Sequence, residues 1–297
     1  MTSTIQRRDP GSGAGASPAP GSSPRRRTGK SRLRRWATNG VVFLALMALW
    51  WAVTASNVVK PLFLPGPAAV WQAFVHASSC RPISGAGGRV QCGKQGYFLW
   101  EHLLASLERI AVGVALGAAF GVLLGFSMST VRPLGRIMEP YLNFLRSLPP
   151  LGYIGLLIVW LGIGDNSKIW PLFLAAFPPI AMATIEGVRD IRTDRIHAAQ
   201  SLGATRLQVI KFVVLPSSLA AIVSGVRIAV GFAWTTVVAA ELNNGIPGIG
   251  GLAYISGTQM QTALTIACII VIGLAAIALD AAIKYLGQLL VPWQGKA

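Results

Sequence analysis

Six mostly apolar stretches, each about as long as a bilayer is thick, recur along this chain. They fall at about residues 36–59, 103–128, 140–163, 169–188, 219–240 and 262–282. Roughly 20 apolar residues carry a helix across the hydrocarbon. Inside that layer only helices or closed barrels satisfy their own backbone. The pattern therefore predicts an all-α polytopic membrane protein with six spanning helices. Composition agrees: only 12% of the residues are charged, against about 25% in a soluble domain.

The net charge of +16 could suggest a nucleic-acid partner, but its distribution points to membrane topology and excludes that reading. Nine of the 26 basic residues lie in the first 36 positions. With the N-terminus placed inside, 18 basic residues fall in inner segments and five in outer ones, and Arg109, Arg146 and Arg227 lie in or near spans. Without the basic tail the bias is still nine to five. Positive charge is retained on the cytoplasmic side, so both termini are expected in the cytoplasm.

Residues 1–35 are rich in Gly, Ser, Pro and Arg and are expected to form a disordered cytoplasmic tail. Gly29-Lys30-Ser31 imitates the end of a phosphate-binding loop, but position 24 is Pro and no strand precedes it. The basic run suits anionic lipid heads instead. Segment 36–59 is too long for the apolar part of a signal peptide and lacks a clear cleavage site. It is read as the first span, with Trp36, Trp50 and Trp51 available to place it.

Residues 60–102 are expected outside the membrane, with an amphipathic helix from about Pro67 whose contacts are Val70, Trp71, Phe74 and Val75. Cys80 and Cys92 bracket a Gly-rich loop. An outer position permits a disulfide between them, and two free thiols are the alternative. Cys268, in an apolar helix, is read as packing. No metal-ligand cluster and no catalytic constellation appears, so no cofactor is expected.

Residues 103–290 form the expected membrane core, with 291–297 a short cytoplasmic tail. Gly113, Gly117, Gly121 and Gly125 recur every fourth residue, making a small helix face that a neighbour can approach closely. Pro149-Pro150 interrupts the third segment, and Pro178-Pro179 lies in the fourth. Proline removes a backbone donor and breaks regular helix. Charges within spans are functional candidates by default. Arg227 is read first as half of an interhelical ion pair and second as lining an anion pathway. Glu241 is read as facing a cavity or capping a gate region, and Arg109 as a structural or interfacial cation rather than a substrate ligand. Glu186 and Asp280 are placed near the inner interface.

The segment 190–216 lies between apolar stretches but carries Arg192, Arg195, Arg206 and Lys211. It reads as helix, break, helix. Asp194 can cap a first helix through Ile196, Ala198, Ala199 and Leu202, and Gly203 can end it in the left-handed conformation. Thr205 can cap a second helix carrying Leu207, Ile210, Phe212 and Val214, with Pro216 after it.

The run His197-Ala198-Ala199-Gln200-Ser201-Leu202-Gly203-Ala204, followed by Leu215-Pro216, resembles the EAA loop of ABC importer permeases, with His197 in place of the usual Glu. Over about residues 60–297 the stretches PLFLPGP, SLERIAVG and SLPPLGYIGLLIVWLGIGDNSKI resemble permeases for taurine, alkanesulfonates and nitrate. VRIAVGFAWTTVVAAEL and PWQGK look most like the taurine group. The resemblance implies a type I importer permease in a bacterial inner membrane, acting as a homodimer. It implies two cytoplasmic ATPases docked on residues 197–204 and an external substrate-binding protein. It also implies alternating access without a catalytic site in this chain. Nitrate and a thiamine-precursor-like heterocycle are the alternative substrates. An ion-coupled carrier and a polytopic membrane enzyme are the competing classes.

Overall fold

The computed structural model describes residues 29–292 except 57, 83–89 and 244, with side chains from residue 37 onward. The chain divides into two units, Met1–Leu49 and Trp50–Ala297. The first contains most of helix α1, Gly29–Ala55. That helix begins earlier than the expected start at residue 36. Lys30, Arg32, Arg34 and Arg35 favour helix, so residues 29–35 extend α1 rather than belonging to the expected tail. Residues 1–28, the side chain of Trp36 and the loop 83–89 lie outside the described residues.

In the second unit the order is α2 (Pro67–Ala77), β1 (Cys80–Pro82), β2 (Val90–Cys92), α3 (Leu99–Thr130), α4 (Arg132–Ser147), α5 (Pro150–Leu161), α6 (Asn166–Arg189), α7 (Thr193–Ser201), α8 (Arg206–Val209), a π turn (Ile210–Val214), α9 (Leu215–Glu241), α10 (Ile249–Thr258) and α11 (Thr262–Leu290). Among the described residues, five helices are long and apolar enough to cross a membrane, and the bent α4–α5 pair would make a sixth. Beside the helices of this all-α fold stands a short antiparallel pair, β1–β2; Cys80 and Cys92 face each other in its register, and their sulfurs are bonded.

Helix α6 is the axis of the packing. Its Leu172, Ala176 and Ile180 share a buried cluster with Ile110 and Val114 of α3 and with Ala229, Val230, Ala233, Trp234 and Val237 of α9. The glycine face of α3 meets it in register. A Cβ on Gly117 would stand 2.7 Å from the Cβ of Ala176, one on Gly121 2.9 Å from the Phe177 carbonyl, and one on Gly125 2.6 Å from the Cβ of Thr184. Gly113 is equally closed by Leu172. On the other side, Gly225 of α9 has no room beside Ala183, nor Gly187 beside Ala221. With lipid offering little hydrophobic drive between helices, such close contact is a main source of association.

Outside this core, α2 lies on α11. Val70 is buried and Phe74 half-buried; Trp71 is largely exposed but stacks on Phe74 at 5.4 Å, and Val75 is exposed. Ala77, Leu99, Ile249, Leu252, Leu264 and Cys268 close a second cluster that joins α2, α3, α10 and α11. The third segment is not one straight span: α4 and α5 bend by 97° at the proline pair. Twelve residues of α5 rise only about 18 Å, too little to cross alone. Pro178 and Pro179, by contrast, stay within an unbroken α6.

Pro216 corrects another expectation, since it does not end a helix. α8, the π turn and α9 run on as one segment of 36 residues, Arg206–Glu241. A proline ring collides with the carbonyl four residues earlier. The wider turn over Ile210–Val214 relieves that collision and keeps the helix continuous.

Candidate functional site

Two regions gather the chemistry, one at each end of the segment Arg206–Glu241. At the Glu241 end, His102, Ser106 and Arg109 occupy one face of α3, because spacings of four and three return to the same side of a helix. All three are buried, as is Glu241 at the last residue of α9. Glu241 Oε1 accepts from Ser106 Oγ at 2.7 Å and from Arg109 Nη1 at 2.7 Å. Its Oε2 accepts from the backbone N–H of Gly250 at 2.8 Å. Ser106 Oγ in turn accepts from the Ile249 N–H at 3.0 Å. Both backbone donors belong to the first turn of α10, where N–H groups lack helical partners and favour negative charge.

His102 extends the network. Its Nδ1 accepts from the Gly248 N–H at 3.0 Å, and its Nε2 lies 3.2 Å from the Lys94 carbonyl. Nδ1 also lies 3.2 Å from the Gly248 carbonyl, so both ring nitrogens meet backbone groups. Arg109 also donates through Nε to Asp165 Oδ1 at 2.9 Å, and Lys168 Nζ stands 3.4 Å from the same oxygen. Burial raises the Asp165 carboxyl, but the adjacent Arg109 guanidinium and then the Lys168 ammonium outweigh it and hold the group below the usual carboxylate range. The cluster contains two cations and two anions, the balance that buried charges require.

This arrangement ties α3, α6, α9 and α10 together. Glu241 is taken up by partners on α3 and α10, and Arg109 pairs across helices with Glu241 and Asp165 while bordering a cavity with Glu108 and Lys168. Helix α10 and His102 went unread in the sequence. The glycines around α10 suggest a loop, yet they are small because a Cβ on Gly248 would stand 2.6 Å from the Glu241 carboxyl carbon and one on Gly250 2.7 Å from the Val238 Cα. The available signal was the step from His102 to Ser106 to Arg109 along one helix face.

At the opposite end, Gly203 has φ +85°, the left-handed geometry that ends α7. Thr205 caps α8 through a reciprocal pair with Gln208. Asp194 is not the cap: α7 starts at Thr193, and Asp194 sits in its first turn, 2.9 Å from Arg192. A carboxylate in a first helical turn is favoured by the dipole without capping it. Ile191, Val209 and Val214 form a small core with Ile196, Ala199 and Ala204 packed on it. The other face carries His197, Ala198, Gln200 and Ser201, all exposed. Leu202 is 89% exposed, with Leu207 and Phe212 also turned outward.

Between these ends, Arg227 of α9 donates through Nε and Nη2 to the two carboxylate oxygens of Asp280 on α11, at 3.0 and 3.1 Å. Asp280 is the partner that the sequence left unnamed. No group of His, Cys, Asp and Glu suited to a metal occurs among the described residues.

Residues 117–294 match the family described as binding-protein-dependent transport system inner membrane component. The chain is 37% identical over 268 residues to the taurine transport system permease protein of Escherichia coli (strain K12), covering 89% of this chain and 92% of that protein. It is 30% identical over 253 residues to the nitrate import permease protein of Synechococcus elongatus, covering 83% and 86%. Among solved structures, a methionine ABC transporter in inward facing conformations shares its fold, with TM-score 0.53 and 24% identity over 65% of this chain and 94% of that one.

Proposed function

The chain belongs to the family of inner membrane components of binding-protein-dependent transport systems, and from that premise we propose that it imports taurine or a closely related sulfonate. It is a permease subunit of an ABC importer, seated in the inner membrane, without a catalytic site of its own. Importers of this family pair the permease with an ATPase and a substrate-binding protein. The observation that carries the sulfonate reading is the 37% identity to a taurine permease across most of both chains. The 30% identity to a nitrate permease favours nitrate as the second reading.

In this proposal the active unit is a homodimer with two ATPases, with both termini in the cytoplasm and lipid around the spans. The charge bias of the loops supports that orientation. Residues His197 to Ala204 form the docking surface, supported by the outward-facing Leu202 and the polar side chains beside it. Closure of the ATPases would displace α7, and the unbroken segment Arg206–Glu241 would carry the movement toward the opposite face. The two membrane-facing states then alternate as rigid groups of helices rock.

The test is uptake of labelled taurine at low external concentration in cells with and without this gene. Loss on deletion, with restoration by complementation and dependence on ATP, is the expected result. Unchanged uptake in a strain with no second taurine system would move the substrate to alkanesulfonates, nitrate or a heterocycle.

A further inference from the structure

The bend between α4 and α5 opens a cavity of about 200 Å³ beside α6 and α9. Drug-sized ligands occupy about 300 Å³ or more, so this space suits a molecule of a few heavy atoms. Arg146, Ser147, Tyr153 and Thr235 supply its polar wall, and no carboxylate lines it. Ser147 Oγ and Thr235 Oγ1 donate to the carbonyls of Asn143 and Phe232 at 2.8 and 2.9 Å. Among the described residues, the Arg146 guanidinium and the Tyr153 hydroxyl have no such partner.

Arg146 differs in this from Arg109 and Arg227, the two arginines set within long spans. Arg109 is held by Glu241 and Asp165, and Arg227 by Asp280. Arg146 is exposed on α4, and its guanidinium borders a cavity whose lining holds no carboxylate to answer its charge. The start of α5 borders the same space through Pro149 and Pro150, and a helix start carries partial positive charge. Every contribution to the wall is therefore positive or neutral. Guanidinium matches a planar or tetrahedral oxyanion through two parallel hydrogen bonds.

We propose that this cavity is a passage subsite for the oxyanion end of the transported solute, with Arg146 as its fork and Tyr153 as a second donor. The proposal rests on the importer reading and adds the chemical group recognised. It assigns no acceptor to an ammonium, so taurine and ethanesulfonate are read alike here. In a binding-protein-dependent system the external protein sets capture. A passage subsite therefore acts on maximal rate and leaves the apparent KM nearly unchanged.

The experiment uses the complete complex of permease, ATPase and binding protein in proteoliposomes with labelled taurine. Arg146→Gln is expected to lower Vmax about tenfold, the size of one charge-assisted hydrogen bond lost from a transition state. Arg146→Lys, which keeps the charge without the fork, retains within about threefold of wild-type rate. Tyr153→Phe is expected to lower Vmax roughly threefold and carries the test should Arg146→Gln assemble poorly. Wild-type Vmax in both Arg146→Gln and Tyr153→Phe overturns the proposal. So does an equal loss in Arg146→Gln and Arg146→Lys that follows complex yield, since that assigns Arg146 to structure alone. Uptake by the wild-type complex reports separately on the substrate: if it moves nitrate rather than taurine, the same variants are compared on nitrate.

Discussion

The two ends of the segment Arg206–Glu241 solve opposite problems. At the Glu241 end every buried polar group described above has its partner within this chain, across four helices. At the Arg206 end the backbone is just as well defined, with a capping box at Thr205 and a left-handed glycine at 203. Its apolar side chains nevertheless point outward, with Leu202 89% and Leu207 75% exposed. One end is complete in the single chain. The other presents a shaped surface that the chain itself leaves uncovered, which is what an interface requires.

If the first end is complete in itself, breaking it should cost the most. Glu241→Ala leaves Arg109 short of one buried counter-charge, leaves the Gly250 N–H without its acceptor and leaves the Ser106 hydroxyl only the longer bond to the His102 carbonyl. Removing one partner from a buried pair costs about 3–5 kcal/mol. The purified permease complex should lose thermal stability by that order, measured as a fall in Tm or in yield from detergent. A variant with wild-type Tm would show that the network does not hold the helices together.

The sequence made these ends unequally legible, for a physical reason. Caps and glycine turns act over three or four residues, so Gly203 and Thr205 could be read from their neighbours. The glycine face of α3 was legible too, because a period of four on an apolar helix has few other uses. The network at Glu241 joins residues more than 130 positions apart, and three of its donors are the backbone N–H groups of Gly248, Ile249 and Gly250. Backbone donors carry no residue signature. The same holds for Pro216, whose effect depended on a widened turn that sequence does not announce.

A smaller effect is expected at the open end. Gly203 has open space around its Cα, so a side chain there meets no clash. The obstacle is the backbone: a β-branched residue resists positive φ at a cost of about 1–2 kcal/mol. Gly203→Val should therefore distort the end of α7 locally. Co-purification with the ATPase should fall, or hydrolysis should continue without transport. Unchanged complex yield together with unchanged coupled uptake would remove residues 197–204 from the docking role.

The smallest effect on stability should come from Leu202, and that makes it the most telling variant. Its side chain touches little of this chain, being 89% exposed, so Leu202→Asp should change permease stability by no more than about 0.5 kcal/mol. If α7 docks on a partner, the same change buries a carboxylate in the interface and should lower ATPase co-purification about tenfold or more. The two readouts pull apart only if this face is functional. Equal Tm and equal co-purification would mean that the exposed leucine is ordinary surface, and the contrast between the two ends would lose its meaning. Lost binding at unchanged Tm would locate the coupling surface without disturbing the fold that carries it.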